Sequence, residues 1–254
     1  MASIWDIRVE GTPSGMIADQ SQVELAFRTF ADPDEGVELV ALRSGVCAVR
    51  PGHDIDGLVL AADALPSGQG IYFRINPVPV NHPGKAKNAD ITRRRWIYLD
   101  IDPVKPESAK DDPATNQESY HTAEVADEVT DYLRCLGWPD PVLVDSGNGR
   151  ALFWRCDLPN DSSSKTVMQK FIKAMQNRFD CDRGKIDKSV HNANRLVKLP
   201  GTTSRKGTPS QERPWRTCCI LSRPRTLEIV SLDQLLAASQ MTLHDEDDES
   251  VSRS

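Results

Sequence analysis

Two aspartates one residue apart, Asp100 and Asp102, close the apolar run RRRWIYLDIDP spanning residues 93–103. Alternate residues of a strand share a face, so the two carboxylates are expected on one side. Like charges that close repel, and each loses hydration if the strand end is covered; one or two divalent cations would offset that cost. Alone, the pair reads equally as a metal site or as an ordinary strand end, and D-x-D also occurs in sugar-nucleotide transferases. Asp187, in KIDKSV, is either the partner of Lys185 or Lys188, or a third carboxylate of the same site if the chain brings it there. The run SGNGR (146–150) offers backbone N–H groups, a hydroxyl, an amide and a guanidinium, the parts of a phosphate cradle; its bland alternative is an Asn-Gly hairpin turn. Arg195, Lys198, Arg205 and Lys206 follow Asp187 and are expected to line the mouth of a triphosphate or template site, with Pro200-Gly-Thr202 turning the chain.

Other chemistry-bearing residues carry less. Trp215 sits between basic residues and either stacks on a base or packs, while His191 is read as a local hydrogen-bond partner. Cys181, His191, Cys218 and Cys219 fit no standard zinc spacing.

The elements that must position these groups can be read along the chain. Ser21 and Glu24 form a capping-box pattern ahead of LAFRTF, a first helix. Residues 37–49 read as strands broken at Ser44-Gly45, residues 55–65 as a short helix, and GIYFRINPV (70–78) as a strand stopped by prolines. VNHPGKAKNADITRRR reads as a mobile polar loop. In the aspartate strand, Ile97, Leu99 and Ile101 alternate with Trp96, Tyr98, Asp100 and Asp102. A polar linker (105–121) is expected before a helix with Val125, Val129, Tyr132, Leu133 and Leu136 at helical spacing, closed by Gly137. PVLVDSGNGRALFWR reads as a β-hairpin and KTVMQKFIKAMQNRF as an amphipathic helix burying Val167, Met168, Phe171, Ile172, Met175 and Phe179. Residues 217–221 read as a short buried strand, and Ser231 to Gln234 as the cap of a last helix. Strands and helices without a regular βαβ rhythm favour an α+β fold with a mixed or mostly antiparallel sheet.

The bulk composition suits a 254-residue soluble domain. No apolar run approaches the length of a membrane span, and the acid early in MASIWDIRVEG, with no apolar stretch after it, does not read as a secretory signal. Six cysteines without framework spacing point to reduced thiols and a cytoplasmic protein. The net charge of −6 hides an asymmetry: five acids at 245–249 against Arg253 leave −4 in the tail, while residues 183–225 hold eleven Lys or Arg against two acids, or +9. A basic face beside carboxylates suits a polyanionic substrate, although a solvated basic loop has the same composition. The acidic tail, 241–254, reads as disordered or as a linker.

Taken in order, RWIYLDIDP, WPDPVLVDSGNG and IDKSVHNANRLVKLPGTTSRKG resemble the archaeo-eukaryotic primase superfamily, and more narrowly the primase-polymerases of phages, plasmids and other mobile elements. The resemblance runs from about Val37 to about Leu221. It implies that Asp100, Asp102 and Asp187 are catalytic and hold two Mg²⁺ or Mn²⁺ ions. The nucleotide site it implies comprises Ser146, Gly147, Asn148, Gly149 and Arg150, with Arg195 and Lys206. It also implies a two-part core within residues 1–240: an N-terminal α/β module (about 1–90) packed on a module related to the RNA-recognition fold (about 91–225), with the metal cleft between them. The implied reaction is template-directed nucleotidyl transfer from nucleoside triphosphates on single-stranded DNA, in a domain commonly joined to a helicase and with no membrane partner.

One departure matters. The second motif of that family ends in a histidine, S-x-N-x-x-H, where this chain has Ala151. Either Arg150 takes over the phosphate contact, or the histidine was replaced by design, or the domain binds without turnover; a weakened or engineered enzyme is the preferred reading. The alternative from another class is a non-catalytic initiator or accessory module that binds single-stranded DNA or nucleotide on the same fold. A sugar-nucleotide transferase leaves the basic region unexplained. Tyr72, Tyr98 and Phe153 are the candidates for sugar discrimination.

Overall fold

The computed structural model describes residues 17–42, 44–66 and 70–240, so the N-terminal run and the acidic tail discussed above lie outside the described residues. The chain forms a mixed α+β fold built on two antiparallel sheets. The first helix, α1 (Gln20–Phe30), is capped by Asp19, whose side chain accepts from Gln22 N. The expected Ser21 box is therefore not the cap: Ser21 instead donates to the Asp19 carboxylate. A hairpin, β1 (Gly36–Ala41) and β2 (Cys47–Pro51), is followed by α2 (Ile55–Ala64) and β3 (Ile71–Arg74).

The aspartate strand is β4 (Arg93–Pro103), followed by α3 (Asn116–Cys135), β5 (Val142–Asp145), β6 (Arg150–Pro159), α4 (Ser162–Phe179) and β7 (Gly184–Ile186). Short strands β8 (Leu196–Lys198), β9 (Thr203–Ser204), β10 (Arg216–Thr217) and β11 (Cys219–Ser222) precede α5 (Leu232–Gln240). Helix α3 begins well inside the expected linker, because Thr115 and Glu118 form a reciprocal capping box that nucleates it there.

The large sheet runs β11-β5-β6-β4-β7. Four of its strands, β5, β6, β4 and β7, arise from the order β4-α3-β5-β6-α4-β7, the split βαβ arrangement also used by RNA-recognition modules. All its pairings are antiparallel. Ile97, Leu99 and Ile101 are buried, and α3 and α4 pack on the sheet. These helices bury Val125, Val129 and Leu133, and Met168, Phe171, Ile172 and Met175. A second, four-stranded sheet runs β2-β1-β3-β8. Its fourth strand comes from residues 196–198, so the sheet is not completed within the first 90 residues.

An aromatic cluster joins the two sheets. The Phe30 ring lies 5.5 Å from Phe73 of the small sheet, and 4.9 and 5.0 Å from Trp96 and Phe153 of the large one. On the polar side, a buried ion pair between Glu38 and Arg74 ties segments together in a similar way. Glu38 also accepts from Ala86 N at 3.1 Å, and Arg74 donates to the Asn194 carbonyl. Residues 80–92, expected as a mobile loop, are thereby tied down, with Ala86 and Ile91 buried against Val78 and Ala193.

Phe30→Ala is expected to cost about 3–5 kcal/mol, since it empties the junction of the two sheets. Urea unfolding followed by circular dichroism measures this; a loss under about 1 kcal/mol would mean that the sheets are joined elsewhere.

Candidate active site

The sheet registers explain how distant residues meet. Asp100 pairs with Ala151 on one side of β4, and Ala151 pairs in turn with Val144. On the other side Ile101 pairs with Ile186, and Asp187 N donates to Asp100 O at 2.9 Å. Directly opposed residues share a face. Val144, Ala151, Asp100 and Asp187 therefore form a row across four strands, with Tyr98 and Asp102 above and below Asp100. This row floors a cleft of about 370 Å³ between the two sheets. Tyr72 and Lys198, themselves cross-strand partners, form part of the opposite wall, the ammonium lying 4.8 Å from the ring centroid. Ser146, Asn148, Arg195, Ser204 and Lys206 also line it.

The electrostatics are unbalanced. Burial first, and the neighbouring Asp102 charge second, push the Asp100 carboxyl up to about 7. Asp102 is also raised, chiefly by burial, with Lys206 pulling the other way. Neither carboxylate forms an ion pair with a described residue. Tyr98 shares a face of β4 with Asp100, and burial holds its phenol well above its ordinary range. Tyr72 is pushed up to about 12 by burial and by Asp100. Opposite them, burial brings the Lys198 ammonium down to about 8.

Asp187 behaves differently. Burial raises its carboxyl, but hydrogen bonds from Ser189 and the Arg195 charge more than offset this, and the net direction is down. Its Oδ2 pairs with Arg195 at 2.7 Å, not with Lys185 or Lys188, and its Oδ1 caps Ser189 N at 2.8 Å. Among the described residues no group of three His, Cys, Asp or Glu side chains is disposed to hold a metal ion. Asp100, partly buried, and Asp102, exposed at the strand end, suit a hard divalent cation by donor type and by having no ion-pair partner among the described residues. A third oxygen from Asp187 requires the pair with Arg195 to open. The Arg195 Nε is itself buried without a hydrogen-bond partner.

The loop between β5 and β6 departs from the phosphate-cradle expectation. Gly147 N is taken by Asp145 Oδ1 at 2.7 Å, Gly149 N by Ser146 Oγ at 3.0 Å and Ser146 N by Gly149 O at 3.1 Å. Asn148 accepts from Ala114 N and donates to Ser204 Oγ, so its amide braces the loop. The glycines serve close approach: a Cβ on Gly149 would lie 2.2 Å from Ile101 O, and Gly147 has φ +85°. Arg150 is on the opposite face of β6 from Ala151, paired with Asp145 at 3.0 Å and bonded to Ser119, and it does not line the cleft. It is not placed to replace a histidine at 151, whereas Ala151 itself faces the cleft beside Asp100. Tyr72, Tyr98 and Phe153 all line the cleft.

Ser204 also lines the cleft, and nothing in its local sequence pattern marks it. The basic region is divided by the fold. Arg183 pairs with Glu124 and Glu128, Arg213 with Glu118, and Arg216 with Asn116 and the Ala114 carbonyl, leaving Arg195, Lys198 and Lys206 at the cleft. His191 bonds Lys188 O and Gln169, as expected for a local partner. Trp215 is partly exposed, its indole N–H bonded to Lys206 O.

No family model matches the chain, and no curated protein matches it in sequence. Solved structures similar to it include the catalytic domain of primase RepB' in complex with initiator DNA, at TM-score 0.49 and 10% identity over 91% of this chain and 99% of that one. Another is primase RepB', at the same TM-score and identity over 91% of this chain and 65% of that one. Among the described residues no helix is long and apolar enough to cross a membrane.

A carboxyl raised in the fold destabilises the native state as it ionises. The stability associated with protonated Asp100 is complete below about pH 4 and lost as pH rises through about 7. Asp100→Asn is therefore expected to melt several degrees above the parent protein at about pH 8 in chelator, with the gap closing toward about pH 4. Scanning calorimetry across pH measures this; a constant gap would show that Asp100 is not titrating as described. At the higher pH, Mn²⁺ should raise the melting temperature of the parent and not of Asp100→Asn/Asp102→Asn.

Proposed function

We propose that this chain is the catalytic domain of a DNA primase-polymerase of mobile-element type, a cytoplasmic enzyme. It would perform template-directed nucleotidyl transfer from nucleoside triphosphates on single-stranded DNA. The observation that carries the reading is the pair of carboxylates Asp100, partly buried, and Asp102, exposed at the strand end, which have no ion-pair partner among the described residues and lie on the floor of a cleft whose walls bring Arg195, Lys198 and Lys206 toward them. The motifs around these residues, in their order along the chain, support the same reading.

In the reaction, the 3′-oxygen of a primer or first nucleotide forms a bond to the α-phosphorus of the incoming triphosphate. The bond from that phosphorus to the bridging oxygen breaks, pyrophosphate leaves, and the hydroxyl proton passes to solvent or a cleft base. Asp100 and Asp102, with Asp187 once released, would hold Mg²⁺ or Mn²⁺, which would supply Lewis-acid stabilisation of the developing charge. The chain's own part is positioning and charge. Arg195, Lys198 and Lys206 neutralise the triphosphate, a role that fixed cations perform best where water is scarce. Tyr98 lies beside Asp100 on the cleft floor. Ala151 leaves open a position from which a side chain could donate to a phosphate oxygen, so the enzyme is expected to be slow. A helicase fused or associated with this domain is a fitting partner.

A non-catalytic module that binds single-stranded DNA or nucleotide is the second reading, favoured by the internally satisfied loop 146–149 and by the Asp187–Arg195 pair.

Primer synthesis on single-stranded templates with labelled nucleotides and Mg²⁺ or Mn²⁺ separates the two. The parent chain should make product slowly, Ala151→His should make at least about tenfold more, consistent with one added donor to a developing charge, and Asp100→Ala/Asp102→Ala should make none. Template binding by all three without product from any of them would replace the enzyme by the binding module.

A further inference from the structure

Beyond the cleft, a second recess of about 270 Å³ opens on the far side of Asp102. Four lysines line it: Lys105 after β4, Lys110 beyond it, Lys185 on β7 and Lys206 after β9. Asp102 is its one acidic lining residue, and Asp102, Asn148 and Lys206 line the cleft as well. The two cavities thus share a wall at the carboxylates.

Lys110, Lys185 and Lys206 are not spent on holding the fold together. Lys185 stands directly across from Asp102 in the β4–β7 register yet forms no ion pair with it among the described residues. Lys206 likewise has no ion-pair partner among them. Lys110 has only the exposed Glu107, three residues away, and such surface pairs contribute little. Lys105 is half-buried and donates to Asp112 O at 2.6 Å. Its ammonium is held below its ordinary range, first by burial and then by the Lys206 charge. Like charges gathered from three separate segments around one recess repel unless an anion enters, and such a field concentrates polyanions.

We propose that this recess is a phosphate-binding site continuous with the cleft. It would hold either the phosphodiester backbone of a strand passing Asp102 or the tail of a triphosphate seated at the carboxylates. The proposal rests on the reading of the cleft as a nucleotidyl-transfer site, and it assigns Lys105, Lys110 and Lys185 a role that the motifs do not give them. Lysines act here as flexible point charges, so the site selects for phosphate charge rather than for a base.

Lys110→Ala/Lys185→Ala removes two exposed charges without opening the core. Lys170→Ala/Lys173→Ala on the outer face of α4 makes the same change in net charge elsewhere. Binding is measured in chelator, where no transfer occurs, with a labelled oligothymidylate over a range of salt and separately with inorganic tripolyphosphate. If the recess holds a strand, the first variant binds the oligonucleotide several-fold more weakly, and its salt slope falls by about 0.7 for each phosphate no longer neutralised. If it holds a triphosphate tail, tripolyphosphate binding falls instead. In both cases the α4 variant is unchanged and Lys110→Arg/Lys185→Arg retains binding. Equal losses in both alanine variants, or no loss in either, would overturn the site. Intact phosphate binding that depends on the recess, with no primer synthesis from any variant, would leave the site standing and sink the transfer reading alone.

Discussion

Two carboxylates one step apart on β4, Asp100 partly buried and Asp102 exposed, are the constraint around which the rest of the molecule is arranged. A carboxylate withdrawn from water is held in its charged form only by nearby cations or strong donors. The large sheet places the two on the floor of the cleft, and the small sheet supplies part of the opposite wall. Neither has an ion-pair partner among the described residues. The cations opposite, Arg195, Lys198 and Lys206, stand across a cavity rather than in contact. That geometry is costly for an empty protein and well suited to one that takes a cation and a polyphosphate between its walls.

Keeping such a cleft open requires the two sheets to be joined elsewhere. Phe30 does this on the apolar side, reaching aromatic rings of both sheets from the end of α1. On the polar side, Glu38 and Arg74 bind residues 86 and 194 to the small sheet, and β8 returns the chain to that sheet just after the Asp187 segment. Arg195 therefore sits on a short connection between a strand of each sheet, where a small change in their separation would alter its pair with Asp187. Neither attachment crosses the cleft itself.

The basic region shows how one composition serves two purposes. Arginines 183, 213 and 216 make bidentate or multiple contacts that hold α3 and the β9–β10 hairpin in place, a task suited to a planar guanidinium. The lysines at 185, 198 and 206 are left at the two cavities. Arg195 departs from this division, since it lines the cleft while paired with Asp187.

The alternation of β4, the hairpin at 142–159 and the helical periodicity of α3 and α4 were legible in the sequence. Side-chain period and turn chemistry are local properties, and there they agreed with the fold. The face shared by Asp100 and Asp102 was fixed in the same way, by the two-residue repeat of a strand. Local pattern misled where a polar segment is held by remote groups. Residues 80–92 look like a loose loop until Glu38 accepts Ala86 N, and the cap of α1 shifts to Asp19 because its carboxylate reaches Gln22 N. Only the tertiary structure decided that Asp187 lies opposite Asp100, that Arg150 turns away while Ala151 faces the cleft, and that loop 146–149 spends its amides on itself. Each of these depends on strand register and on which donors find partners first. Register is set by pairing between segments about 50 to 90 residues apart, which no local spacing encodes.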